Sequence, residues 1–230
     1  MASNHQNPLP VPQVPIKDAD KKLFTLINTF VHEYMSKYDN SHDYQHILRV
    51  LSNTNRILQA ENETDSSVAY DKTSLFLAAL LHDVGDHKYT KAGEDVENQI
   101  ANTLLQHGAP KELARKVQTI VKHVSYTNEI RDPTGVASVL EQHPELAIVQ
   151  DADRLDAIGA VGIARCFSFG AAKFPEQPMD RAIDHFGEKL YKLAGMMKTT
   201  AGKEMAKRRH DVLKEFAREW EEETHLSFQL

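Results

Sequence analysis

The chain has 230 residues, about one to one-and-a-half typical domains and enough to bury a core without covalent staples. Its 27 basic and 33 acidic side chains leave a formal net charge of −6, which weighs against a nucleic-acid binder driven by phosphate attraction. A single cysteine, Cys166, excludes a disulfide framework and a thiolate-rich zinc site, so any metal must be met by the twelve histidines and the carboxylates.

In chain order, residues 1–16 carry Pro8, Pro10, Pro12 and Pro15 and lack a basic-then-apolar signal pattern, so they read as a disordered proline-rich tail. A single domain is expected over residues 17–230. Leu23, Leu26, Ile27, Phe30, Val31, Tyr34 and Met35 recur at helical spacing. Ser41 is placed to cap a second helix carrying Tyr44, Ile47, Leu48, Leu51 and Leu58. Asp71 is placed to cap a third, apolar on every side over residues 75–81 and therefore central, with Gly85 positioned to end it. Further helices are expected over about 95–106 and 111–123, the latter opened by Pro110. Pro144 opens a long apolar segment over 146–169, and two more helices over about 181–197 and 200–223 close the chain. No run reaches the roughly 18 apolar residues of a membrane span, and alternating strand patterns are missing. The expectation is one all-α domain, cytoplasmic, with no membrane partner.

Four places hold candidate chemistry. His42 and His46 are four apart, one turn on a common helix face. His82 and Asp83 stand side by side at the end of the most apolar helix, where an unanswered charge costs several kcal/mol. His123 ends the helix expected over 111–123. Asp151, Asp153 and Asp156 interrupt an apolar segment, where buried carboxylates call for a cation. A lone core histidine is usually just hydrogen-bonded, and Asp153, Arg154 and Asp156 could form a simple ion-pair network. The order histidine, His-Asp, late aspartate supplies two imidazoles and two carboxylates, a set suited to a divalent transition metal.

On these residues the sequence resembles the HD-domain superfamily of metal-dependent phosphohydrolases, whose pattern His…His-Asp…Asp falls on His46, His82 with Asp83, and Asp153. The stretches 42–50, 151–165, 184–193 and 197–209 resemble a small stand-alone bacterial and fungal branch of HD-domain proteins. The resemblance implies a helical HD bundle with a C-terminal helical extension. In relatives with an Asp-x-Asp pair the second aspartate meets the metal and the following basic residue meets phosphate. That implies Asp153 as ligand and Arg154 as substrate contact, with Asp151 the alternative ligand. Mn²⁺ is the first candidate metal, with Fe²⁺, Co²⁺, Zn²⁺, Ni²⁺ or Mg²⁺ also suited.

The implied activity is hydrolysis of a nucleotide or other small phosphate ester or anhydride by a metal-activated water. Asp86 or a noncoordinating oxygen of Asp83 is the candidate proton acceptor and His123 the candidate leaving-group acid, with His42, Lys88, Arg154 and His185 as candidate substrate contacts. Two alternatives belong to other classes: a mixed-valent di-iron oxygenase, in which His123 would serve a second iron, and a non-catalytic nucleotide-binding module. The expected partner is a small phosphorylated substrate, with no specific nucleic acid and with a homodimer left open.

Overall fold

The apolar run at residues 75–81 lies at the centre of the molecule, because no face of it is polar enough to meet water. A computed structural model describes residues 9–64, 68–85 and 97–228. After a 3-10 turn (Asp18–Asp20) come α1 (Lys21–Met35), α2 (Tyr44–Glu63), α3 (Lys72–Leu81), α4 (Gln99–Gln106) and α5 (Lys111–Lys122). They are followed by α6 (Tyr126–Arg131), α7 (Pro133–Gln142), α8 (Glu145–Asp156) and α9 (Gly159–Lys173). α10 (Asp180–His185) runs through a π turn (Phe186–Leu190), a single turn α11 (Tyr191–Leu193) and a 3-10 turn (Ala194–Met196), before the long α12 (Thr200–Thr224). No strand occurs among the described residues, so the fold is all-α as expected.

α3 is buried from Thr73 to Leu81 and is surrounded by α1, α2, α5 and α8. Its first turn is closed by Asp71, whose carboxylate accepts from the backbone N–H groups of Thr73 (3.1 Å) and Ser74 (3.3 Å). Asp71→Ala is expected to lower stability by about 1 kcal/mol, the usual value of an N-cap. A thermal melt checks this, and a melting temperature equal to that of the unsubstituted protein would contradict it.

Several expected boundaries move. α2 is capped by Asp43, which accepts from the His46 N–H at 3.1 Å, and not by Ser41. His42 therefore stands before the helix and not one turn below His46 on it. The 146–169 segment is two helices, bent by 69°. The bend falls where Ile158 is extended and Gly159 takes a φ of +73°, a conformation that favours glycine. Gly162 then packs against the corner so closely that a Cβ would stand 2.3 Å from the Ala157 carbonyl. Residues 9–16 form no helix, yet Val11, Val14 and Ile16 pack against the core, so this part of the expected tail belongs to the folded body. No single described helix is long and apolar enough to cross a membrane.

Candidate metal centre

The site forms where α2, the end of α3 and the end of α8 converge. His46, Arg49 and Asn53 are spaced to share one face of α2, and all three reach α8. Asn53 donates to the Ala152 carbonyl at 3.1 Å, and Arg49 and His46 both bond Asp156. This contact fixes the His46 ring.

His46 Nδ1 lies 2.7 Å from Asp156 Oδ2, and His82 Nδ1 lies 2.9 Å from the Ala79 carbonyl. An ionised carboxylate and a carbonyl only accept, so both rings donate from Nδ1 and, when neutral, carry a lone pair at Nε2. Those two Nε2 atoms face each other at 3.0 Å. Asp83 brings its Oδ2 to 3.2 Å from His46 Nε2 and its Oδ1 to 3.5 Å from His82 Nε2. Oδ2 is buried and has no hydrogen-bond partner among the described residues. Two opposed lone pairs beside an unsatisfied carboxylate oxygen repel one another unless positive charge lies between them. These residues fit a divalent cation, and the His46–His82–Asp83 group could hold one.

The electrostatics agree. Burial and the Arg165 charge both work against protonating His46, but Asp156 and Asp83 outweigh them and raise its pKa. Burial likewise opposes ionising Asp83, and the two imidazoles beside it nevertheless hold its carboxyl well below the usual range. The centre thus attracts positive charge.

Asp153 places Oδ1 at 3.7 Å from both Nε2 atoms, with its side chain partly open to the cavity. Asp151 faces elsewhere. At about 100° per residue, Asp153 and Asp156 lie some 60° apart on α8, and Asp151 lies on the opposite side. Its buried carboxylate accepts from the Lys198 and Thr199 N–H groups (2.8 Å each) and from the Thr199 hydroxyl (2.7 Å), anchoring the start of α12. Burial raises its pKa despite these bonds.

Asp156 is the carboxylate bonded to His46 that spacing alone does not single out. It is 2% exposed and accepts from His46, from Arg49 (2.8 and 3.1 Å) and from Arg165 (3.0 Å). Burial opposes its charge, but the His46 and Arg49 hydrogen bonds and the His46 and Arg165 charges hold its pKa far below the normal value. Its position three residues after Asp153 is the available signal, since the two share a helix face.

The centre opens into a cavity of about 630 Å³, within the size range of small-molecule sites. His42, Arg154 and His185 all border it. His42 packs edge-on to Phe169 and accepts or donates at 2.7 Å to the Ser41 hydroxyl. His185 pairs with Glu188 at 3.2 Å. Arg154 is placed differently from expectation. It is 2% exposed, with its terminal nitrogens engaged by the Met196 carbonyl (3.0 Å) and by Glu129. His123 also departs from expectation: it is not among the residues lining the cavity, and its Nδ1 turns back to the Thr119 carbonyl at 2.7 Å. Asp86 and Lys88 lie outside the described residues.

The HD-domain family model matches residues 43–158, a span that takes in His46, His82, Asp83 and Asp153. YpgQ of Bacillus subtilis is 33% identical over 205 residues, covering 86% of this chain and 91% of YpgQ. The solved structure of YpgQ in complex with ADP matches with a TM-score of 0.65 at 32% identity, over 88% of this chain and 95% of that one. An HD-superfamily hydrolase from Bacillus thuringiensis matches with a TM-score of 0.62 at 30% identity, over 89% and 97% of the two chains. The chain belongs to the HD-domain family. It has the fold of HD-superfamily hydrolases, and its His46, His82 and Asp83 form a group that could hold a metal ion.

Proposed function

We propose that the chain is a metal-dependent phosphohydrolase or pyrophosphohydrolase acting on a nucleotide or other small phosphate ester. The observation that carries this reading is the pair of opposed Nε2 lone pairs at 3.0 Å, beside the unsatisfied Asp83 Oδ2, at the floor of a cavity bordered by basic side chains. The presence of ADP in the solved YpgQ structure supports a nucleotide as the ligand.

In this reading His46, His82, Asp83 and Asp153 are the ligands, Asp153 because its Oδ1 is equidistant from both imidazoles. A divalent cation held there, Mn²⁺ first, supplies Lewis acidity that depresses the pKa of water and polarises a phosphoryl group. Asp156 orients His46 and keeps its Nε2 directed at the centre, the supporting role that makes ligand geometry exact enough to matter. The Asp83 oxygen not engaged in ligation accepts the proton of the attacking water. His42 and His185 contact the phosphate side of the substrate from the cavity wall, and Arg154 adds positive charge to that wall from beneath.

Release of phosphate or pyrophosphate from a panel of nucleotides and phosphomonoesters, with Mn²⁺, Co²⁺ or Mg²⁺, tests the proposal. Turnover is expected to vanish on chelation and to return when Mn²⁺ is restored. A metal-loaded protein that releases neither product from any phosphorylated compound overturns it.

A further inference from the structure

The expected phosphate contact, Arg154, has both terminal nitrogens tied to protein groups and only a buried Nε without a partner, whereas a different guanidinium stands at the centre with a terminal nitrogen uncommitted. Arg165, on α9, borders the cavity. Its Nε donates to the Ser41 carbonyl at 2.6 Å and its Nη1 to Asp156 Oδ2 at 3.0 Å, while Nη2 bonds no described residue. Two anchored nitrogens fix the plane of the fork before any ligand arrives, so little side-chain entropy remains to be lost on binding. Asp156 is also a single carboxylate shared by the guanidiniums of Arg49 and Arg165, so neither has a carboxylate of its own. Arg49 makes two hydrogen bonds to Asp156 and does not line the cavity, whereas Arg165 makes one and borders the cavity with Nη2 uncommitted.

We propose that Arg165 is a substrate-binding residue whose Nη2 receives an anionic oxygen of the substrate, a phosphate or diphosphate group, next to the metal ligands. This rests on the hydrolase reading above and adds a phosphate contact that the motif residues do not include. Because Arg165 and His46 share Asp156 Oδ2, the anion contact and the ligand imidazole are held by one carboxylate oxygen, which fixes their separation.

The test is calorimetric titration of the full chain, loaded with Mn²⁺, with inorganic pyrophosphate, alongside Mn²⁺ titration of the metal-free protein. In Arg165→Met, pyrophosphate affinity is expected to fall about ten- to a hundredfold, the loss typical of a hydrogen bond to a charged group. Mn²⁺ affinity is expected to stay at the wild-type value, because Arg49 still holds Asp156. Arg165→Lys keeps the charge without the fork and is expected to fall between the two. Unchanged pyrophosphate affinity in Arg165→Met overturns the inference while leaving the hydrolase reading intact. Parallel loss of pyrophosphate and Mn²⁺ affinity also overturns it, since Arg165 would then act only through Asp156 and His46. A wild-type protein that binds Mn²⁺ but no pyrophosphate removes the phosphate reading and this inference with it.

Discussion

Replacing His82 with alanine is expected to abolish divalent-metal binding and phosphate release while leaving the fold standing. The imidazole supplies one of the two Nε2 lone pairs, and its other nitrogen bonds only the Ala79 carbonyl at the last turn of α3. Loss of that bond is expected to lower stability by about 1 kcal/mol. In the wild type, Mn²⁺ at a hundred times its Kd is expected to add about 2.7 kcal/mol. For a chain of this size that is roughly 5–10 °C in Tm. The H82A protein is expected to melt at one temperature with and without Mn²⁺. A melt that rises on adding Mn²⁺ as the wild type does would remove His82 from the ligand set.

The second large effect is expected at Asp156. Asp156→Asn preserves the shape of the side chain but leaves the largely buried Arg165 without its counter-charge, and with it the more exposed Arg49. Removing one partner of a buried ionic group costs about 3–5 kcal/mol. The melting temperature is therefore expected to fall by roughly 10 °C. Beyond stability, His46 loses the carboxylate that holds its Nδ1–H, and metal affinity is expected to drop about ten- to a hundredfold. Metal titration of the folded fraction separates the two effects. Wild-type affinity in D156N would show that the His46 ring is oriented by packing alone.

Much of the fold follows from periodicity in the long helices. The all-round apolar character of residues 75–81 marks α3 as central, and Asp71 marks its start, because both depend only on local composition. The short α6 and α7 are not legible in this way, since six- and ten-residue helices on the surface expose too few periodic positions to stand out. The break between α8 and α9 is set by the tertiary corner around Gly159 and Gly162, and a glycine in an apolar run does not by itself distinguish a corner from close helix packing.

At the site, His82 and Asp83 are legible because a histidine and an adjacent carboxylate at the end of an apolar helix are costly to bury without a cation to answer them, whereas His46 is set apart from His42 only by the resemblance to the HD pattern. The geometry of Asp151 is not legible in the same way. Helical spacing separates it from Asp153 but does not say which face meets α2. That face is declared by Asp156, through its bond to His46. Sequence neighbours suggest roles for Arg154 and His123, whereas their orientation is decided by tertiary and local backbone partners. These are Glu129 and the Met196 carbonyl for the first and the Thr119 carbonyl for the second.

The three aspartates of α8 give that helix an unusual intolerance of length change. Within twelve residues it holds the first turn of α12 through Asp151, presents Asp153 to the two imidazoles and steadies His46 through Asp156. One residue inserted between Asp151 and Asp153 would rotate everything beyond it by about 100° and advance it by about 1.5 Å. The C-terminal helix and the two imidazoles could then no longer both be served. The same insertion at the exposed residues 175–179, between α9 and α10, disturbs none of these bonds. A change in chain length is therefore expected to be tolerated only in the connections, and α8 acts as the gauge against which the rest of the molecule is set.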